Sequence, residues 1–263
     1  MFRTPTIRVS PSTLLSKGMR DLAGLYPILP ASKSGQEWWK KMKPTFPVER
    51  KIDQNKSITD ISNTFKYCPG VFDFINCGYM VRWVHDIEFY VGTNGSVSWV
   101  LPPLIPASTI HPHIKEQVGG CPFNSGEGAE VIIKVKTPFL IETPKGWSIL
   151  FCKPFYEFNN DFDQCWGILD ADQKPISCHE INIFFRFNSK DKVIKFKAGE
   201  PMIQLIPFKR INTKLEYTSE PSTKVKNEQW KDHILRGSKF PSPDINIGKT
   251  LQNFRDSTTK HYR

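Results

Sequence analysis

From Gly78 onward, apolar and polar residues alternate with a period of two. Tyr79, Val81, Trp83, Ile87, Phe89 and Val91 are set against Arg82, Asp86 and Glu88, which predicts a half-buried strand across 79–91. Thr93-Asn94-Gly95-Ser96 follows, and Asn-Gly between apolar runs predicts a hairpin in which both central residues take positive φ, with Val97–Leu101 as the returning strand. Further strands are predicted at Glu130–Lys136, Trp147–Lys153, Ile181–Phe187 and Met202–Phe208, punctuated by turns at 144–146 and 198–201. The middle of the chain therefore reads as almost wholly β.

Both flanks break this pattern. Pro5, Pro11, Pro27 and Pro30 lie among isolated apolar residues and predict an extended N-terminal arm rather than a helix. A short helical turn is expected at Gly35–Lys43, with Trp38 and Trp39 as packing anchors and Pro44 as its stop. After Arg210 the composition turns polar, and Ser222–Leu235 predicts a surface helix contacting through Val225, Trp230 and Ile234, with a second short one at Lys249–Phe254. Three regions result: an arm and basic segment over 1–66, a β-rich core over 67–210, and a basic helical tail over 211–263.

Composition narrows the class. Aromatic residues make up 13% and charged residues 24%, too apolar for a disordered chain. The apolar run Val97–Ala107 is broken by three prolines, so no membrane span is expected, and the N-terminus lacks the uninterrupted apolar stretch of a secretory signal. The expected location is the cytoplasm of a host cell. The six cysteines form no Cys-x-x-Cys pair and are expected as reduced, mostly buried thiols, with no cofactor. The net charge of +10 resides in the flanks: residues 209–263 carry 12 basic against 6 acidic side chains, and residues 33–66 carry 8 against 4. Such flanks suit an acidic protein surface or nucleic acid, or simply keep the protein in solution.

Three motifs between Phe139 and Arg210 carry a family resemblance. Ile141-Glu142-Thr143-Pro144-Lys145-Gly146-Trp147, Gly167-Ile168-Leu169-Asp170-Ala171-Asp172 and Lys197-Ala198-Gly199-Glu200-Pro201-Met202-Ile203-Gln204-Leu205-Ile206 together resemble the core motifs of the dUTPase and dCTP deaminase family. The resemblance implies a β-clip or jelly-roll-like sandwich, a trimeric assembly, Asp170 at the place of the base that orients water, and Gln204 near bound phosphate. Several family elements are replaced. Lys153-Pro154-Phe155-Tyr156 stands where a phosphate-binding Pro-Arg-Ser-Gly would be, Gln173-Lys174-Pro175 replaces Tyr-Arg-Gly, and no glycine-rich arm follows 210. Without that loop's converging amides, hydrolysis of a Mg-triphosphate by the family's route loses its positioning. Over most of its length the chain also resembles a protein family frequent in tailed phages of aquatic bacteria, on segments such as Tyr26-Pro27-Ile28-Leu29-Pro30-Ala31 and Ile203-Gln204-Leu205-Ile206-Pro207-Phe208-Lys209-Arg210.

The leading expectation is a non-enzymatic phage protein, within the virion or its assembly, whose β core forms a homotrimer and docks on other phage structural proteins. A nucleotide hydrolase or deaminase using Asp170 and Mg²⁺ is the first enzymatic alternative. The second is a metal-dependent oxygenase, because His111-Pro112-His113 followed by Glu116 resembles the metal motif of cupins, with His179 as a third imidazole for iron or manganese. A His-Pro-His turn with solvated rings is the simpler reading of the same residues. Asp161, Asp163, Asp170 and Asp172 cluster around Trp166, where they could bind a cation or cap local backbone amides.

Overall fold

The computed structural model describes residues 5–12, 16–34, 37–53, 56–113, 115–118, 131–154, 161–172, 179–215 and 217. The expected tail helices at 222–235 and 249–254 lie outside them. The chain divides into Met1–Ile211 and Asn212–Arg263, and the architecture below is that of the first unit.

It is mainly β and antiparallel. One five-stranded sheet runs β1 (Arg8–Pro11), β9 (Ile132–Glu142), β13 (His179–Phe187), β11 (Phe162–Gln164), with β8 (Ile110–His113) also paired to β9. A second runs β12 (Gly167–Leu169), β10 (Trp147–Cys152), β15 (Pro201–Lys209), β5 (Tyr79–Arg82), β2 (Leu29–Pro30). Strands β14 (Lys192–Phe196), β6 (Ile87–Val91) and β7 (Val97–Val100) make a third, and β3 (Thr45–Asp53) with β4 (Lys56–Asn63) forms a ribbon joined to no other strand among the described residues. Alternation places Ile133 and Val135 of β9, Ile183 and Phe185 of β13, and Ile203 and Leu205 of β15 in one apolar cluster that also takes Phe89 and Phe196 from the third sheet. Each such fully buried side chain contributes about 1.5–3 kcal/mol. Trp83 anchors the centre, its ring 4.4 Å from that of Phe196 and 5.5 Å from that of Phe185.

Three expectations are corrected. The segment 79–91 is two strands in two sheets, because Trp83 to Asp86 leave the ladder; Trp83 N–H donates to Glu200 O at 2.9 Å and Trp83 O accepts from Gly199 at 2.8 Å. The β6–β7 hairpin does turn at Asn94-Gly95, but only Gly95 has positive φ (78°). Gly95 N–H closes a four-residue turn on Gly92 O at 3.0 Å, and the Asn94 side chain accepts from Ser96 N–H, the longer loop form rather than the two-residue one. The N-terminal segment is not wholly an extended arm. Helix α1 (Lys17–Leu25) forms between its prolines, with the Ser16 hydroxyl accepting from Met19 N–H at its start. Met19, Leu22, Ala23 and Tyr26 share the i, i+3, i+4, i+7 face that packs into the core, so a helical period too short to stand out among prolines was decided by tertiary burial. The helical turn around Trp38 and Trp39 is α2 (Glu37–Lys41), with Trp39 buried. No described helix is long and apolar enough to cross a membrane.

Candidate functional site

Three separate pieces of chain meet at one corner of the second sheet. After β9, Pro144–Trp147 closes a turn, with Trp147 N–H donating to Pro144 O at 3.0 Å. Gly146 sits at its third position with φ 81°, the geometry of a type II turn. Strand β10 then starts, and β12 lies antiparallel to it with Ile149 opposite Leu169, which sets Asp170 beside Ser148. On the other side β15 pairs Lys209 with Trp147, and Arg210 N–H donates to Gly146 O at 2.7 Å.

Their side chains interlock. The Ser148 hydroxyl, fully buried, donates to Asp170 Oδ1 at 2.5 Å. Arg210 Nη1 lies 3.0 Å from the same oxygen and donates to Ser148 Oγ at 2.9 Å and Trp147 O at 3.3 Å. Arg210 Nη2 donates to Asp172 Oδ2, which also accepts from Gly146 N–H at 2.7 Å. The Asp172 side chain is 5% exposed and that of Asp170 43%.

Both carboxyls are held below the usual aspartate range. For Asp170 the Ser148 hydroxyl acts most, assisted by Arg210 against partial desolvation; for Asp172 the guanidinium acts most, then the Gly146 amide. The same carboxylates, Asp172 foremost, push the Arg210 guanidinium up. A general base works best with a pKa near the operating pH, whereas Asp170 is stabilised as an anion by a donor and a cation already in contact. What this corner does best is fasten the 144–147 turn, the end of β12 and the end of β15 together.

Gln204 has an equally structural setting. It is 1% exposed in the middle of β15, and its Nε2 donates to Phe74 O at 2.8 Å and Cys77 O at 2.7 Å, fixing the C-terminal end of α3 (Pro69–Asn76) to the sheet. Beside it, burial pushes the Cys152 thiol up to about 11, which keeps it protonated at neutral pH. Cys165 is of intermediate exposure, and Cys121 and Cys178 lie outside the described residues.

The structure brings His111 and His113 together on the outer side of β8 and leaves Glu116 exposed in a short turn of 3-10 helix, Lys115–Val118. His179 is not with them. His111 pairs with Lys134 on β9, while His179 pairs with Ile141 on the same strand; seven residues, roughly 23 Å, separate the two positions. No three His, Cys, Asp or Glu side chains among the described residues are grouped as metal ligands would be. The four residues therefore do not fit one iron or manganese centre.

Of the other acidic residues, Asp161 binds Lys192 at 2.6 Å and the Ser189 hydroxyl at 2.8 Å, and Asp163 accepts from Asn188 Nδ2 at 2.9 Å. They are tied to the β13–β14 connection and not to Asp170. Ser148, Gly146 and above all Arg210 went unrecognised in the sequence. Arg210 falls just beyond the third resembling motif, and nothing local couples it to an aspartate 38 positions away.

Neither a protein-family model nor a curated protein sequence matches the chain. Solved structures do. A variant of the dUTPase of Staphylococcus bacteriophage 80alpha aligns over 84% of this chain and 100% of its own, at 9% identity and a TM-score of 0.35. The unmodified 80alpha enzyme aligns over 83% of this chain and 99% of its own, at 9% identity and a TM-score of 0.33. A dUTPase variant from phage phi11 of S. aureus, solved with a structural Mg(II) ion, gives the same identity, coverage and score. Phage dUTPases are thus what the chain is similar to. At such scores the likeness assigns neither a family nor an activity.

Proposed function

We propose that this chain is a non-enzymatic protein of a tailed phage, acting in the virion or its assembly, built on a dUTPase-like β core that no longer turns over nucleotides. The observation that carries this reading is the engagement of Asp170. The residue that would serve as base in the resembling family accepts a 2.5 Å hydrogen bond from buried Ser148 and an ion pair from Arg210. Its neighbour Asp172 is held by the same guanidinium. The missing Pro-Arg-Ser-Gly and glycine-rich arm support the same conclusion, since a triphosphate would find neither its donors nor its cover. The core assembles as a homo-oligomer, a trimer by the family resemblance, and docks on other subunits of the particle; the basic flanks add attraction for acidic protein or nucleic acid.

Two measurements test this. Incubating the full chain with a panel of deoxynucleoside triphosphates and Mg²⁺ should give no turnover, and sedimentation should give a mass above that of the 30.3 kDa monomer. Turnover that disappears in Asp170→Asn would overturn the reading. It would favour a diverged nucleotide hydrolase, for which the remaining solvent exposure of Asp170 is the one supporting feature.

A further inference from the structure

The outer face of the first sheet holds polar atoms that are buried and unmet. On β8, alternation turns Ile110 into the core and places His111 and His113 outward. On β13 it turns Ile181, Ile183 and Phe185 inward and Asn182, Phe184 and Arg186 outward. Register brings these together in two rows across β9: His111 opposite Lys134 opposite Phe184, and His113 opposite Ile132 opposite Arg186. The His113 ring lies 5.4 Å from that of Phe184, so the rows are in contact. His111 Nε2, His113 Nε2 and Arg186 Nε are each buried with no hydrogen-bond partner among the described residues. Leaving such a group dry costs about 1–3 kcal/mol.

The chemistry of the row is one-sided. Arg186 and Lys134 are donors only, and each imidazole Nε2 donates in one tautomer, while the unmet acceptor of this face, Asn182 Oδ1, lies one row further along, opposite Lys136. The acids that the neighbouring strands present are otherwise engaged: Asp163, opposite Arg186, accepts from Asn188 at 2.9 Å, and Glu180 lies 3.9 Å from Lys136 and accepts from Ser12. Among the described residues Lys134 and Arg186 have no carboxylate within ion-pair distance. Burial first, then Lys134 and His111, hold the His113 imidazole below its usual value, as expected where positive charge gathers without a counter-ion.

We propose that His111, His113, Lys134 and Arg186 form a binding site for one phosphoryl oxyanion on the outer face of the first sheet. Strand spacing of about 5 Å puts β8 and β13 roughly 10 Å apart on either side of β9, a gap that imidazole, ammonium and guanidinium side chains are long enough to span. A tetrahedral oxyanion supplies several acceptors to donors that converge from three strands, and charge-assisted bonds to it are the stronger kind. The site is distinct from the Asp170 corner. Ile132 and Glu142 mark the two ends of β9, about 33 Å apart, and the corner lies past the latter.

The test is an NMR titration of the full chain, following the imidazole nitrogens of His111 and His113 at constant ionic strength. Inorganic phosphate should give saturable shifts at both rings, and Arg186→Met and Lys134→Gln should each weaken binding by roughly tenfold. Lys134 is partly exposed, so Lys134→Gln remains readable if the arginine variant does not fold. A nucleoside monophosphate run in parallel separates the sources. Saturation by both identifies a phosphate ester as an acceptable ligand, and saturation by inorganic phosphate alone identifies the free ion. Shifts that follow chloride equally, or binding unaltered by both substitutions, would overturn the proposal.

Discussion

Two polar groups on this β scaffold are each built around an arginine and behave oppositely. At the Asp170–Arg210 corner each charged side chain meets an opposite charge, and a buried hydroxyl and a turn amide add further bonds, leaving only Asp172 Oδ1 unmet. On the outer face of the first sheet, His111, His113 and Arg186 keep buried nitrogens with no hydrogen-bond partner among the described residues. The contrast teaches that charge in a β protein is not informative until its partners are known: the corner's cation is matched by two carboxylates and serves the fold, while the face lacks an opposite charge among the described residues and is suited to a ligand.

The largest expected effect comes from cutting the arginine in each place. Arg210→Met leaves Asp172 enclosed without its cation and Asp170 without its ion pair, so the denaturant midpoint should fall several times further than for Arg186→Met, which breaks no ion pair among the described residues. Equal losses would erase the distinction. Next comes Ser148→Ala, which removes the donor to Asp170 and an acceptor from Arg210 at a fully buried position; urea unfolding should report a loss of about 1–3 kcal/mol, and an unchanged midpoint would mean the hydroxyl is replaceable by water.

The smallest effect is the pH dependence. Because Asp170 and Asp172 have folded pKa values lowered from the ordinary aspartate value of about 3.9, the unfolded chain takes up protons first on acidification. Their contribution is present at neutral pH and lost as pH falls through the unfolded value and then the folded ones. Thermal unfolding between about pH 5 and pH 3 should therefore show a steeper decline in the native protein than in Arg210→Met, whose carboxyls no longer have the cation that lowers them. Parallel declines would remove Arg210 as the cause.

Strands were legible in the sequence because alternation is a local signal, as at β6, where Ile87, Phe89 and Val91 face the core. Pairing was not. Nothing in the sequence of β9 says that β1 and β8 share one of its edges while β13 takes the other, and that arrangement is what keeps His179 away from His111. Helix α1 was hidden for a different reason: nine residues with two glycines have little helical preference of their own, and Met19 and Ala23 gain their stability only once the core receives them. Asp170 stood out by its motif, but its meaning lay in Arg210 and Ser148, which distance along the chain concealed.

The β3–β4 ribbon has no third strand among the described residues, and Thr64 closes its base by donating its hydroxyl to Lys43 O at 2.7 Å and its amide to Pro44 O at 2.8 Å. A lone pair of strands is marginally stable in water, so its amides should exchange with solvent deuterium through local opening, while those of β9 and β13 wait for the whole sheet to come apart. The protein thus has a cheap melting unit hinged at one threonine, and protease nicks should gather there long before the body yields.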